Sequence, residues 1–82
     1  MMQVNEIKSL LTAHFDNAHI EVTVEGSHVN IVIVSSQFDG LGPVKKQQLV
    51  YAALAKPIAS GEIHAVNMKT YTPTEWKDNT AT

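Results

Sequence analysis

The sequence contains no cysteine, few charged residues and no long apolar run, and each absence excludes a class of protein. Without cysteine, the 82-residue chain cannot form disulfides or bind a soft metal through thiolates of its own. No apolar run approaches the roughly 18 residues of a membrane-spanning helix. The N-terminus also lacks the basic start and apolar core of a secretory signal. We therefore expect a cytoplasmic protein.

The balance of charge and the spacing of polar residues each argue against one further class. Six basic and eight acidic residues give a net charge of −2, whereas nucleic-acid-binding domains usually carry a basic patch or stripe. No Ser/His/Asp order and no pair of carboxylates has a spacing typical of a catalytic site. The sequence therefore gives no support for an enzyme. Its apolar fraction of 44% is ordinary for a globular domain.

The first half of the chain predicts a helix followed by a hairpin. Apolar residues recur at steps of three and four over residues 3–15, which indicates an amphipathic helix. Residues 19–25 alternate apolar and polar side chains, as a half-buried strand does. Gly26-Ser27 is a hairpin-sized turn, and residues 28–35 are apolar on both faces, which favours a central strand.

The second half predicts helix, strand and helix after a loop over residues 36–42. A helix is expected over 43–56, with a break or a new short turn at Pro57, which cannot continue it. Residues 63–70 alternate as a strand, with Ile63 on the face of Ala65, Asn67 and Lys69. Thr72-Pro73-Thr74-Glu75 has the form of a capping box, so a short helix over 73–78 should follow.

These elements define an α+β fold with the order α-β-β-α-β-α. The hairpin strands pair antiparallel, and the helical connection favours a parallel third strand. We expect a three-stranded mixed sheet with its helices on one face, a pattern similar to the class II KH fold. Residues 1–78 form one domain, and 79–82 form a short polar tail.

Four segments in this order resemble the BolA family, and within it the IbaG-like branch. They are Phe38-Asp39-Gly40, the helical stretch 44–51, Ile63-His64-Ala65-Val66, and the segment 72–76 that ends in Trp76. The resemblance extends over nearly the whole chain, from the first helix to Trp76. It implies a non-enzymatic BolA-like adaptor that is a monomer when alone.

The resemblance also implies a metal role for two histidines. His64 stands at the position of the family's cluster ligand, and His28, in the first hairpin, is the candidate for a second ligand. His19, near the opposite end of the hairpin, is a weaker alternative, and His14 reads as a surface residue. From the residues alone, the favoured interpretations are different: His64 as a half-buried histidine bonded to a loop carbonyl, and His28 as a solvent-exposed turn residue.

Two histidines cannot complete a [2Fe–2S] site, which usually takes four ligands. The family resemblance implies that a monothiol glutaredoxin of the CGFS type supplies a cysteine and that glutathione supplies another thiol. The expected role is iron–sulfur cluster trafficking, or regulation of iron, redox state or stress.

The alternative hypothesis is a KH-like regulator that binds DNA through Lys45, Lys46 and Lys69. Cations near a helix start oppose the helix dipole, so the first two also suggest a partner surface. However, the KH clamp requires a GXXG loop, and the chain has only Gly40-Leu41-Gly42. Many family members carry Arg-His where this chain has Lys46-Gln47, which weakens the DNA-binding reading further.

Overall fold

The computed structural model describes the backbone of residues 3–80 and the side chains of residues 3–78. In chain order the elements are α1 (Val4–His14), β1 (His19–Glu25), β2 (His28–Val34), a 3₁₀ helix (Ser36–Phe38), α2 (Pro43–Ala53), α3 (Ala55–Ser60), β3 (Ala65–Tyr71) and α4 (Pro73–Thr80). The predicted polar tail over 79–82 is therefore helical at its first two residues, and its last two lie outside the described residues.

The three strands form one mixed sheet in the order β1-β2-β3. β1 and β2 pair antiparallel, with Glu25 opposite His28 next to the turn. β2 and β3 pair parallel, with His28 opposite Ala65 at the start of both strands. The central position predicted for β2 is confirmed. Its apolar residues on both faces are those of a strand with neighbours on each side.

The core lies between one face of the sheet and helices α1, α2 and α3. Val29, Ile31 and Ile33 of β2 are almost fully buried against it. Ile20 of β1 joins them. The rest of this core comes from the helices and loops, namely Ile7, Leu11, Phe15, Phe38, Val50, Ala53, Leu54 and Ile63. The ring centroids of Phe15 and Phe38 lie 5.4 Å apart, so the prediction that Phe38 packs into the core is confirmed.

The single helix predicted over 43–56 is two helices, with the break at Leu54 instead of Pro57. Proline has no backbone N–H, so inside a continuous helix Pro57 would leave the Ala53 carbonyl without a partner. A break at Leu54 places Pro57 in the first turn of α3, where backbone N–H groups have no helical partner in any case. The Leu54 carbonyl then accepts the Ile58 N–H at 3.1 Å.

The third strand begins at Ala65, two residues later than predicted, and the face assigned to Ile63 was wrong. Ile63 is buried in the core, on the side of Val66 and Met68, and not on the exposed side of Asn67. β2 begins only at His28, so residues before Ala65 have no strand beside them. The Ile63 N–H instead bonds the Pro57 carbonyl at 3.2 Å.

The prediction that all helices lie on one face of the sheet is wrong for α4, which packs on the opposite face. The alternation along β1 and β3 places His19 and Tyr71 on the face opposite the core. The centroid of the Trp76 ring of α4 lies 5.4 Å from that of the His19 ring and 5.3 Å from that of the Tyr71 ring. Val34, which the register places between those two residues, is buried. α4 therefore covers one end of the face that is otherwise open.

Candidate metal-ligand site

The backbone brings His28 and His64 to the same end of the sheet. His28 is the first residue of β2, and His64 is the last residue before β3. The Ser27 carbonyl accepts the His64 N–H at 2.9 Å, so His64 is tied to the residue next to His28. Both histidines are exposed. The structure therefore places the two predicted ligands beside the hairpin turn, one at the start of β2 and the other just before the neighbouring β3.

The four histidines differ in what their rings contact. The His14 Nδ1 lies 3.0 Å from the Leu10 carbonyl oxygen, and the His19 Nε2 lies 2.6 Å from a Glu21 carboxylate oxygen. The rings of His28 and His64 make no hydrogen bond or ion pair with any residue that the structure describes. Both ring nitrogens of His28 and of His64 are thus open to a ligand from outside. In His14 and His19, one ring nitrogen is already engaged.

The structure separates His19 from the other candidate ligands. His19 pairs with Val34 at the far end of the hairpin, six residues along β1 from the Glu25–His28 pair. At ~3.3 Å per residue this corresponds to about 20 Å along the strand. Its ring also stacks on Trp76 and contacts Glu21. His28 is therefore the better placed partner for His64.

The described part of the chain contains no cluster of three or more His, Asp or Glu side chains that could hold a metal ion. A metal held at the hairpin end would need further ligands from a second molecule. The structure neither assembles a complete site nor tests ligation by His28 and His64, so their ligand roles stay predictions.

Of the three lysines assigned to a partner or nucleic-acid surface, one is engaged within the fold and two are exposed on different elements. Lys46 donates to the Glu75 carboxylate at 3.0 Å, and its side chain is only 12% exposed. This bond to α4 accounts for a cation near the start of α2, where the helix dipole disfavours it. Lys45 is exposed on α2, and Lys69 is exposed on β3. A surface role for Lys46 thus has no structural support.

The predicted capping box at the start of α4 is confirmed. The Glu75 N–H donates to the Thr72 hydroxyl at 3.1 Å, and the Thr72 N–H donates to the Glu75 carboxylate at 2.8 Å. The bond from the Thr72 amide, followed by the bond from the Lys46 ammonium, holds the pKa of Glu75 below its ordinary value of 4.5. Glu75 therefore joins the cap of α4 to α2.

We expect acid to loosen α4 through Glu75. A carboxyl whose pKa is lowered by folding stabilises the fold above its unfolded pKa, and this contribution is lost as the pH falls through the folded pKa. Trp76 is the only tryptophan, so its fluorescence reports the docking of α4. As the pH falls below 4.5, that signal should change before the far-UV circular dichroism of the whole fold does.

The variant Glu75→Gln tests this assignment. It should weaken the docking of α4 at neutral pH, and the change in Trp76 fluorescence on acidification should disappear. It keeps His19, which stacks on the same indole, so the contribution of His19 is present in both proteins. Glu25→Gln removes an exposed carboxylate at the far end of β1 and serves as the control. An acid step that persists unchanged in Glu75→Gln would contradict the assignment.

Comparison of the sequence with known proteins identifies the family to which this fold belongs. The family model described as BolA-like protein matches residues 3–75. The chain is 45% identical over 75 residues to the acid stress protein IbaG of Escherichia coli K12, covering 92% of this chain and 89% of that one. A BolA-like protein of Dictyostelium discoideum is 35% identical over 88 residues, covering 95% of this chain and 77% of that one.

Solved structures agree with this assignment. A Bol-like protein from Babesia bovis superposes with a TM-score of 0.79 at 30% identity, covering 96% of this chain and 94% of that one. The BolA domain of SufE1 from Arabidopsis thaliana gives 0.80 at 28% identity, covering 92% and 99%. The protein belongs to the BolA family, as its sequence motifs predicted. Within residues 3–80, no helix has the length and apolar character needed to cross a membrane.

Proposed function

We propose that this protein is a non-enzymatic adaptor that binds a monothiol glutaredoxin of the CGFS type and shares a [2Fe–2S] cluster with it. His64 is the principal ligand from this chain and His28 the second. The observation that carries the proposal is the pair of exposed imidazoles at one end of the sheet. Neither ring is engaged by another described residue, and the Ser27 carbonyl holds the His64 backbone beside the turn.

The donor set fits a shared cluster better than a resident one. Imidazole can replace thiolate on one iron of a [2Fe–2S] cluster, which raises the reduction potential. This chain offers imidazoles and no thiol, so cysteine and glutathione thiolates would come from the partner side. When bound, the cluster would supply one-electron redox chemistry. The residues of this chain would then orient one iron and set the partner's position.

The comparisons support the adaptor role at a coarser level. A relative called an acid stress protein and a BolA domain that is part of a larger protein agree with a module for stress response or protein interaction. We place this chain in iron–sulfur cluster trafficking or in iron, redox or stress regulation. No catalytic residue is needed for such a role.

No structural observation favours the nucleic-acid alternative. All six basic residues are lysines, and the net charge of the chain is −2. Lys46 is engaged by Glu75, and Lys69 lies on the open sheet face in the cross-strand row that contains the acidic Glu21. Since phosphate binding depends on clustered cations, we do not adopt DNA binding as a function.

The proposal is tested by reconstitution. The purified protein is mixed with a CGFS-type glutaredoxin, glutathione, iron and sulfide under anaerobic conditions, and visible absorption and circular dichroism are recorded. We expect a spectrum that differs from that of the glutaredoxin homodimer and increases up to an equimolar ratio. A spectrum identical to that of glutaredoxin alone at every ratio would refute the shared cluster.

A further inference from the structure

The segment between α3 and β3 fixes the backbone that carries His64. Gly61 ends α3 in the left-handed conformation, with φ 84° and ψ 5°. Its N–H bonds the Ile58 carbonyl at 3.2 Å. Beyond Glu62, the buried side chain of Ile63 holds that residue in place, and the bond from the His64 N–H to the Ser27 carbonyl holds the next one. The His64 backbone therefore has little freedom to move its ring elsewhere.

Gly61 lies directly beside the His64 ring. A Cβ added to Gly61 would stand 3.7 Å from Nε2 of His64, and apart from residues 60–62 no other residue comes within 4 Å of that position. Gly26 and Gly40 also have positive φ, at 63° and 77°, but a Cβ at either would meet nothing within 4 Å. Among these three glycines, only Gly61 leaves open the space next to a candidate ligand atom.

Backbone geometry already favours glycine at this position, because side chains other than hydrogen are rarely found at φ 84°. Asparagine is the residue other than glycine that most readily adopts the left-handed region, and Asn17 already does so here at φ 54°. A side chain at residue 61 would begin in van der Waals contact with Nε2 and would extend from there. Besides the left-handed end of α3, glycine therefore supplies a second feature, the open approach to this nitrogen.

We propose that His64 presents Nε2 to the cluster and that Gly61 is a positioning residue that keeps this nitrogen accessible. The inference rests on the proposed function for its ligand. The geometric half of the inference is that Gly61 leaves Nε2 accessible. This half can be tested on the free protein, without glutaredoxin or a cluster. Supporting groups around a metal ligand commonly change affinity by about 10–100-fold when they are altered, so the effect on the cluster should be measurable.

The geometric half is tested on the free protein with Gly61→Asn. The matched control is Gly40→Asn, which has nearly the same φ but no neighbour at its Cβ position. Diethylpyrocarbonate acylates uncharged imidazole nitrogens, and mass spectrometry follows each histidine separately. We expect His64 to react measurably more slowly in Gly61→Asn, because Nε2 is shielded while Nδ1 stays open, with His14, His19 and His28 unchanged as internal references. Gly40→Asn should react as the wild type does.

The functional half is tested in the reconstituted complex with glutaredoxin. We expect Gly61→Asn to shorten cluster lifetime roughly tenfold and to shift the visible circular dichroism, with Gly40→Asn unaffected. Normal His64 reactivity in Gly61→Asn, or a cluster as stable as in Gly40→Asn, would overturn the inference.

The two proposals fail in different ways. If His64→Ala leaves the mixed spectrum unchanged, the shared-cluster function fails, whatever Gly61→Asn does. If His64→Ala abolishes the spectrum and Gly61→Asn behaves like Gly40→Asn, the function stands and the role of Gly61 is refuted. Thermal unfolding of both asparagine variants shows whether they carry equal backbone strain.

Discussion

Replacing His64 by Ala should remove the distinctive visible circular dichroism of the mixed complex and shorten cluster lifetime by at least about tenfold, since a direct ligand matters no less than the groups that support it. The folded protein should be unaffected. His64 is exposed, and its ring makes no hydrogen bond with the residues described. Such surface substitutions usually change the free energy of unfolding by no more than about 0.5 kcal/mol.

Three further variants refine the prediction for His64. His28→Ala should weaken the cluster if both histidines contribute and should have no effect if His64 acts alone. His14→Ala is the control, because it removes an exposed histidine that bonds its own helix. His64→Cys should retain a cluster with a lower reduction potential, because thiolate replaces imidazole on iron. A wild-type spectrum in His64→Ala would contradict the ligand assignment.

Replacing Phe38 by Ala should destabilise the fold more than any surface change. The Phe38 ring is fully buried and packs against Phe15 at 5.4 Å. Truncating a buried phenylalanine usually costs about 3–5 kcal/mol through lost burial and a residual cavity. A chain of this length has a total stability of roughly 4–12 kcal/mol, so the variant should be close to unfolding or unfolded at 37 °C.

Thermal and urea denaturation followed by far-UV circular dichroism measure the Phe38 effect. We expect the melting temperature to fall by at least about 12 °C, since each kcal/mol shifts it by about 4–8 °C in a domain this small. Val44→Ala, at a side chain 66% exposed on α2, should change the free energy of unfolding by less than about 0.5 kcal/mol. A loss below about 1 kcal/mol in Phe38→Ala would contradict the central packing of this ring.

Local patterns in the chain were enough to predict the elements and their order. Strand alternation over 19–25 and the apolar centre of 28–35 defined the hairpin and its central strand. The Thr72–Glu75 capping box lies within four consecutive residues, so its two hydrogen bonds could be anticipated without tertiary structure. The family motifs likewise lie in short segments, and the family was correctly identified from them.

Two of the predictions that failed, the face of Ile63 and the position of α4, depend on contacts between residues distant in the sequence. The alternation of apolar and polar residues suggested that the strand begins at Ile63. The start of β3 is instead set by where β2 begins beside it. Leu54 could not be identified as the helix break, because Pro57 only limits where α2 can end. The opposite-face position of α4 follows from the contacts of Trp76 with His19 and Tyr71, which come from two different strands.

For the candidate site, the sequence determined the residue types, and the tertiary structure decided their grouping. The absence of cysteine and the positions of four histidines are properties of the chain alone. The sheet register and the bond from His64 to Ser27 bring His64 to His28, and the length of β1 separates His19 from both. The physical reason is that spacing along a chain reports only local geometry, whereas a shared ligand site requires side chains from separate strands to meet in space.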